Sequence, residues 1–187
     1  MLGERAIDRL LLVVFGSLKL MRFPGAAAWI YCILRVLLAT DGSKYADAVI
    51  LFLLDLPLPR HTEVIVITSL QSHLEAWIKT PTLDFRTNQE LLANLQAAEE
   101  HEARKITTKA EKQFQTKVYK TASIVMRGGA AECILASAKE YKPDIIALGS
   151  RGLSGIKSLL LGSVAERVAR YADCSVLIGW HPGKMRG

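Results

Sequence analysis

Residues 149–168 read GSRGLSGIKSLLLGSVAERV and set glycines at Gly149, Gly152, Gly155 and Gly162 ahead of a helical pattern that opens at Ser163. Glycine lets backbone amides approach an anion closely and permits positive φ, so successive N–H groups can converge on one phosphate. A helix start adds unpaired N–H groups and a partial positive charge. Gly149–Gly152 can form such a nest, Gly162, Ser163 and Val164 can supply the helix terminus, and Arg151 and Lys157 can offset polyphosphate charge. The same residues admit a structural reading. Ser163-Val164-Ala165-Glu166 fits the S-x-x-E capping box, in which Ser163 caps its own helix and Glu166 reaches back. Neither G-x-x-x-x-G-K-[ST] nor G-x-G-x-x-G occurs in the chain.

Thr40-Asp41-Gly42-Ser43 is the second stretch of interest. Asp41 can stabilise a turn through backbone hydrogen bonds, or its carboxylate can accept from ribose hydroxyls or help to hold Mg²⁺. The four histidines, His61, His73, His101 and His181, fall in linker, helix or tail positions, away from both loops, so none of them is expected to be catalytic. Cys32, Cys133 and Cys174 form no C-x-x-C pair and have no histidine at ligand spacing. Three scattered cysteines favour reduced thiols and a cytoplasmic setting.

These loops need strands and helices to hold them. Arg35–Thr40, Glu63–Thr68, Ser123–Met126, Ile145–Leu148 and Ser175–Ile178 are short apolar runs, read as strands. Between them lie helical patterns at Tyr45–Leu54, capped by Ser43, at Asn88–Phe114, at Ala131–Tyr141 and at Ser163–Tyr171. Ser69–Thr87 reads as a polar linker. The alternation predicts an α/β domain with a parallel sheet covered on both faces. In such sheets ligands bind beyond the carboxyl ends of the strands, which is where both glycine-bearing loops fall.

The 187 residues fit one domain, half of them apolar and 22% charged, with a formal charge of +6. No Lys/Arg run exceeds two residues and no aromatics interleave with basic residues, so nucleic acid is not an expected partner. Residues 1–34 differ from the rest. Their apolar runs, Leu10–Phe15 and Ala26–Leu34, are far short of the roughly 20 residues that cross a bilayer. Lys19 and Arg22 interrupt what a signal peptide needs to keep neutral. Ile7, Leu10, Leu11, Val14 and Leu18 follow helical spacing, so a helical extension is expected ahead of a domain over 35–187, with Met21 as an alternative start.

Gly149-x-x-Gly152, nine residues, then Gly162-Ser163 matches the G-2x-G-9x-G-[ST] signature of ATP-binding universal stress proteins. The five-strand pattern, the TDGS after the first strand and Gly128 after the third also resemble that family, over about Arg35 to Trp180. The resemblance implies a flavodoxin-like, Rossmann-like three-layer sandwich with strand order 3-2-1-4-5. It implies that Ala39, Thr40 and Asp41 line the adenosine part of the crevice and that Ser69, just past the second strand, lies against adenine. Leu148, Gly149, Ser150, Arg151 and Gly152 would cradle ribose and phosphates, with Gly162, Ser163 and Val164 completing the phosphate site. The ligand so implied is ATP with Mg²⁺, Asp41 being the candidate metal contact. Three residues depart from the family's habit: Ala39 replaces a frequent proline, Ser69 an apolar residue, and Arg151 a histidine of some members. The family also implies a homodimer through the last strand, Ser175–Trp180, whose exposed edge must be paired or protected.

The function expected is that of a small nucleotide-binding regulator of the stress response. A nucleotide-free dimeric adaptor of the same fold is the alternative. A related nucleotide-consuming α/β enzyme would be expected to carry S-G-G-x-D-S or H-I-G-H motifs, and neither is present.

Overall fold

A computed structural model describes residues 11–14, 33–71, 85–117, 119–153 and 161–180. In chain order the elements are β1 (Leu11–Val14), β2 (Arg35–Ala39), α1 (Lys44–Asp55), β3 (Glu63–Leu70), α2 (Phe85–Gln115), β4 (Lys120–Arg127), α3 (Ala130–Tyr141), β5 (Ile145–Gly149), α4 (Ser163–Tyr171) and β6 (Ser175–Gly179). They form one six-stranded sheet in the order β1-β6-β5-β2-β3-β4. The five strands from β2 to β6 are parallel and take the expected 3-2-1-4-5 order.

Alternation along the strands assigns each side chain to a face. Val36, Leu38, Val64, Val66 and Leu177 pack with Val49, Ile50 and Leu53 of α1 and Ala110 and Phe114 of α2. Leu37, Ile67, Ile146, Leu148, Val176 and Ile178 face the other way, onto Ala131, Cys133 and Ile134 of α3 and Ala165 and Val168 of α4. Two helices on each face close the sandwich. A charged ladder joins the first residues of three strands: Glu63 accepts from Arg35 Nε at 3.3 Å and from Lys120 Nζ at 3.0 Å. Among the described residues no helix is long and apolar enough to cross a membrane.

Two expectations need correction. Leu11–Val14 is not helical; it is a strand, paired antiparallel with β6 from Leu11↔Gly179 to Val14↔Val176. Ile7, Leu10 and Leu18 of the expected helix lie outside the described residues. The outer edge of β6, on which the expected homodimer through Ser175–Trp180 depended, is therefore taken by the chain's own Leu11–Val14. Strand ends shift too. β3 runs on to Leu70 and β4 begins at Lys120, so Ser69 lies within a strand and pairs in register with Met126.

Candidate functional site

β2 delivers the first wall of a cleft at the carboxyl end of the sheet. Thr40 is buried, its N–H donates to Ile67 O at 2.9 Å, and its Oγ1 accepts from Gly42 N at 3.2 Å. Asp41 Oδ1 accepts from Ser43 N at 3.0 Å, the short-range bond that makes Asp a turn residue. Ser43 in turn caps α1, its Oγ accepting from Ala46 N at 3.3 Å.

The glycine loop supplies the second wall. Ser150 N donates to Gly179 O and Ser150 O accepts from Gly162 N, both at 2.7 Å, so one residue ties together the end of β6, the end of β5 and the start of α4. The Ser150 side chain is fully buried, and its Oγ has no hydrogen-bond partner among the described residues. Gly149 is required by close approach to backbone, and Gly152 closely approaches a side-chain end. A Cβ at Gly149 would lie 2.9 Å from the Tyr45 backbone, and one at Gly152 would lie 2.8 Å from Asp41 Oδ2. Asp41 Oδ2 also accepts from Leu153 N at 2.9 Å, so this one carboxylate holds both loops. Gly155 and Lys157 lie outside the described residues. The Arg151 guanidinium sits over the Tyr45 and Trp180 rings, 5.9 and 5.1 Å from their centroids, a cation–π arrangement at the cleft wall.

The third wall is the start of α4. The capping box expected at Ser163 is not formed. Gly162 is the N-cap, in extended conformation with no side-chain bond, and Ser163 is the first helical residue. Glu166 turns instead to Arg170, at 3.5 Å. Gly162 has no side chain with which to cap this end, and Ser163, Val164 and Ala165 of the first turn, where a helix leaves its N–H groups without intrahelical partners, line the cleft.

The cleft has a volume of about 170 Å³. It brings together Ala39, Thr40, Asp41, Ser69, Leu148, Gly149, Arg151, Gly152, Gly162, Ser163 and Val164, with Ser150 buried beneath them. Sequence reading missed Ala46, Ile67, Thr68, Ala130, Ile134 and Ala165, which complete the lining. Gly128, followed by the start of α3, was the available pointer to Ala130 and Ile134. The apolar part, Ile67, Ala130, Ile134 and Leu148, fits a planar base, and the uncapped first turn beside the glycine loop fits an anion. Among the described residues no three His, Cys, Asp or Glu side chains gather as a metal site. Asp41 stands alone there with each oxygen accepting one backbone N–H, so a Mg²⁺ ion would need the ligand's phosphates as its main partners.

The sequence profile of the universal stress protein family matches residues 33–178. The chain belongs to the universal stress protein family. Universal stress protein MJ0531 of Methanocaldococcus jannaschii is 36% identical over 95 residues, which is 51% of this chain and 54% of that protein. The chain thus spans about half the length of that curated relative. Among solved structures, hypothetical protein MJ0577 superposes with a TM-score of 0.62 at 26% identity, covering 79% of this chain and 95% of that one. A universal stress protein family protein from Arabidopsis thaliana with AMP bound shares the fold, with a TM-score of 0.57 at 15% identity over 79% of this chain and 92% of that one.

Proposed function

We propose that this universal stress protein binds an adenine nucleotide, ATP with Mg²⁺, in the cleft at the carboxyl ends of β2, β3 and β5, and acts as a nucleotide-responsive regulator in the cytoplasm. The observation that carries this reading is that the first turn of α4, which has glycine at its N-cap, lines the same cleft as Gly149, Arg151 and Gly152. Unpaired amides at a helix start are an anion site by geometry and dipole together. The apolar side of the same cleft gives the base a place within reach of that site. The Arabidopsis thaliana relative with AMP bound supports an adenine nucleotide as the ligand class.

A regulator needs differential affinity between two states and no fast chemical step, and the reading assigns none. The test is nucleotide titration followed by amide chemical shifts. Saturable shifts at Thr40, Ser69, Gly149 and Val164 are expected; shifts confined to residues outside the cleft, or none, would overturn the assignment.

A further inference from the structure

The parallel core of this sheet has two edge strands, β4 and β6, and they differ in chemistry. β4 carries Lys120 and Arg127 at its ends, charges of the kind that discourage pairing with another chain. β6 carries none: it reads Ser-Val-Leu-Ile-Gly, and Val176, Leu177 and Ile178 are 0%, 7% and 1% exposed. A bare edge of that composition invites a second strand. We propose that β1 is an intramolecular edge cap, Leu11–Val14 holding the outer edge of β6 against pairing with a second copy of this chain.

The register supports this occupant and this competitor. β1 covers Val176 to Gly179 with four uncharged residues, setting Val14 opposite Val176 and Leu12 opposite Ile178. A second β6 could pair antiparallel about Leu177, which would set Val176 opposite Ile178 and Ser175 opposite Gly179. Both pairings are antiparallel, both place apolar residues on apolar residues, and both use the same row of N–H and C=O groups. Only one can form at a time. Being on the same chain gives β1 an effective concentration on the order of millimolar, so it outcompetes a second copy present at micromolar levels by about 10³-fold.

The test is sedimentation velocity on the full chain and on the full chain with Leu12→Pro and Val13→Pro; neighbouring N–H groups in a strand point to opposite edges, so the pair removes whichever of the two donates to β6. The unmodified chain is expected to be monomeric across the micromolar range and the proline variant dimeric. A dimeric unmodified chain, or a folded variant that stays monomeric, would overturn the proposal. The unmodified chain gives a second readout that does not depend on the variant folding. In a mixture of isotope-labelled and unlabelled protein, contacts between Val13 and Leu177 are expected only within one chain; the same contacts between chains would overturn it. Neither measurement involves nucleotide, so the outcome is separate from that of the binding site.

Discussion

Asp41 and Leu153 are joined by a hydrogen bond of 2.9 Å, from the Leu153 N–H to Asp41 Oδ2, across 112 positions of sequence. The other carboxylate oxygen accepts from Ser43 N, so Asp41 is shared between the turn after β2 and the glycine loop after β5. Removing it frees both. Asp41→Ala should cost about 1.5–3 kcal/mol, the range for hydrogen bonds to a charged group. It should also speed hydrogen exchange at the Leu153 amide, and Asp41→Asn, which keeps one acceptor, should fall between. An unchanged exchange rate at Leu153 in Asp41→Ala would show that the two loops do not depend on this bond.

Gly152 belongs to the same contact. Its missing Cβ would lie 2.8 Å from Asp41 Oδ2, so Gly152→Ala should push the carboxylate aside and reproduce the Asp41→Ala phenotype. Denaturant melts of the two single variants and the double variant give the coupling. The double variant should lose much less than the sum of the singles, because both remove one interaction. Additive losses would mean that Gly152 is needed for some other reason.

Phe114 is fully buried where α2 packs on the sheet. Phe114→Ala should destabilise by about 3–5 kcal/mol, from lost transfer energy and the cavity left behind. Equilibrium unfolding checks this; a loss below about 1 kcal/mol would mean that α2 is not docked as described.

The Lys120 hydrogen bond, then its charge, and the Arg35 partner hold the Glu63 carboxyl below its ordinary 4.5, against a smaller opposing effect of burial. A lowered folded-state value means stability that is present above the unfolded-state value and is lost as pH falls through the folded one. Glu63→Gln should therefore flatten the fall in stability on acidification below pH 4.5 while changing neutral stability by no more than about 1 kcal/mol, since Lys120 is largely exposed. Melts at neutral and acid pH decide it; parallel curves for the two proteins would contradict the assignment.

What was legible in the sequence was local and periodic. Val36-Leu37-Leu38 and Ile145–Leu148 announced buried strands, and the spacing from Gly149 to Ser163 announced the loop. Leu11–Val14 was not legible, because four apolar residues in a row satisfy a strand and a helix face alike; the choice was made by pairing with β6. Ser163 misled for a related reason. S-x-x-E has the same letters whether serine is the cap or the first helical residue, and the bond from Glu166 N to Gly162 O decided it. The Asp41–Leu153 bond is long-range and left no pattern. Ala130 and Ile134 were hidden because an apolar residue that lines a cleft looks like one that fills a core.

The central claim is that the start of α4 takes the phosphates of an adenine nucleotide, and one substitution addresses it cleanly. Ser163 is exposed in the first turn, where an acidic residue favours the helix through its dipole, so Ser163→Asp should fold normally. It would also set a negative charge where the anion is proposed to sit, a repulsion of about 3 kcal/mol for charges ~5 Å apart at an effective dielectric of ~20. Calorimetric titration with ATP and Mg²⁺, after stripping any carried nucleotide, should show saturable one-site binding to the unmodified protein and at least about tenfold weaker binding to the variant. Equal affinity in the two proteins, or no binding to the unmodified protein at millimolar nucleotide, would contradict the account.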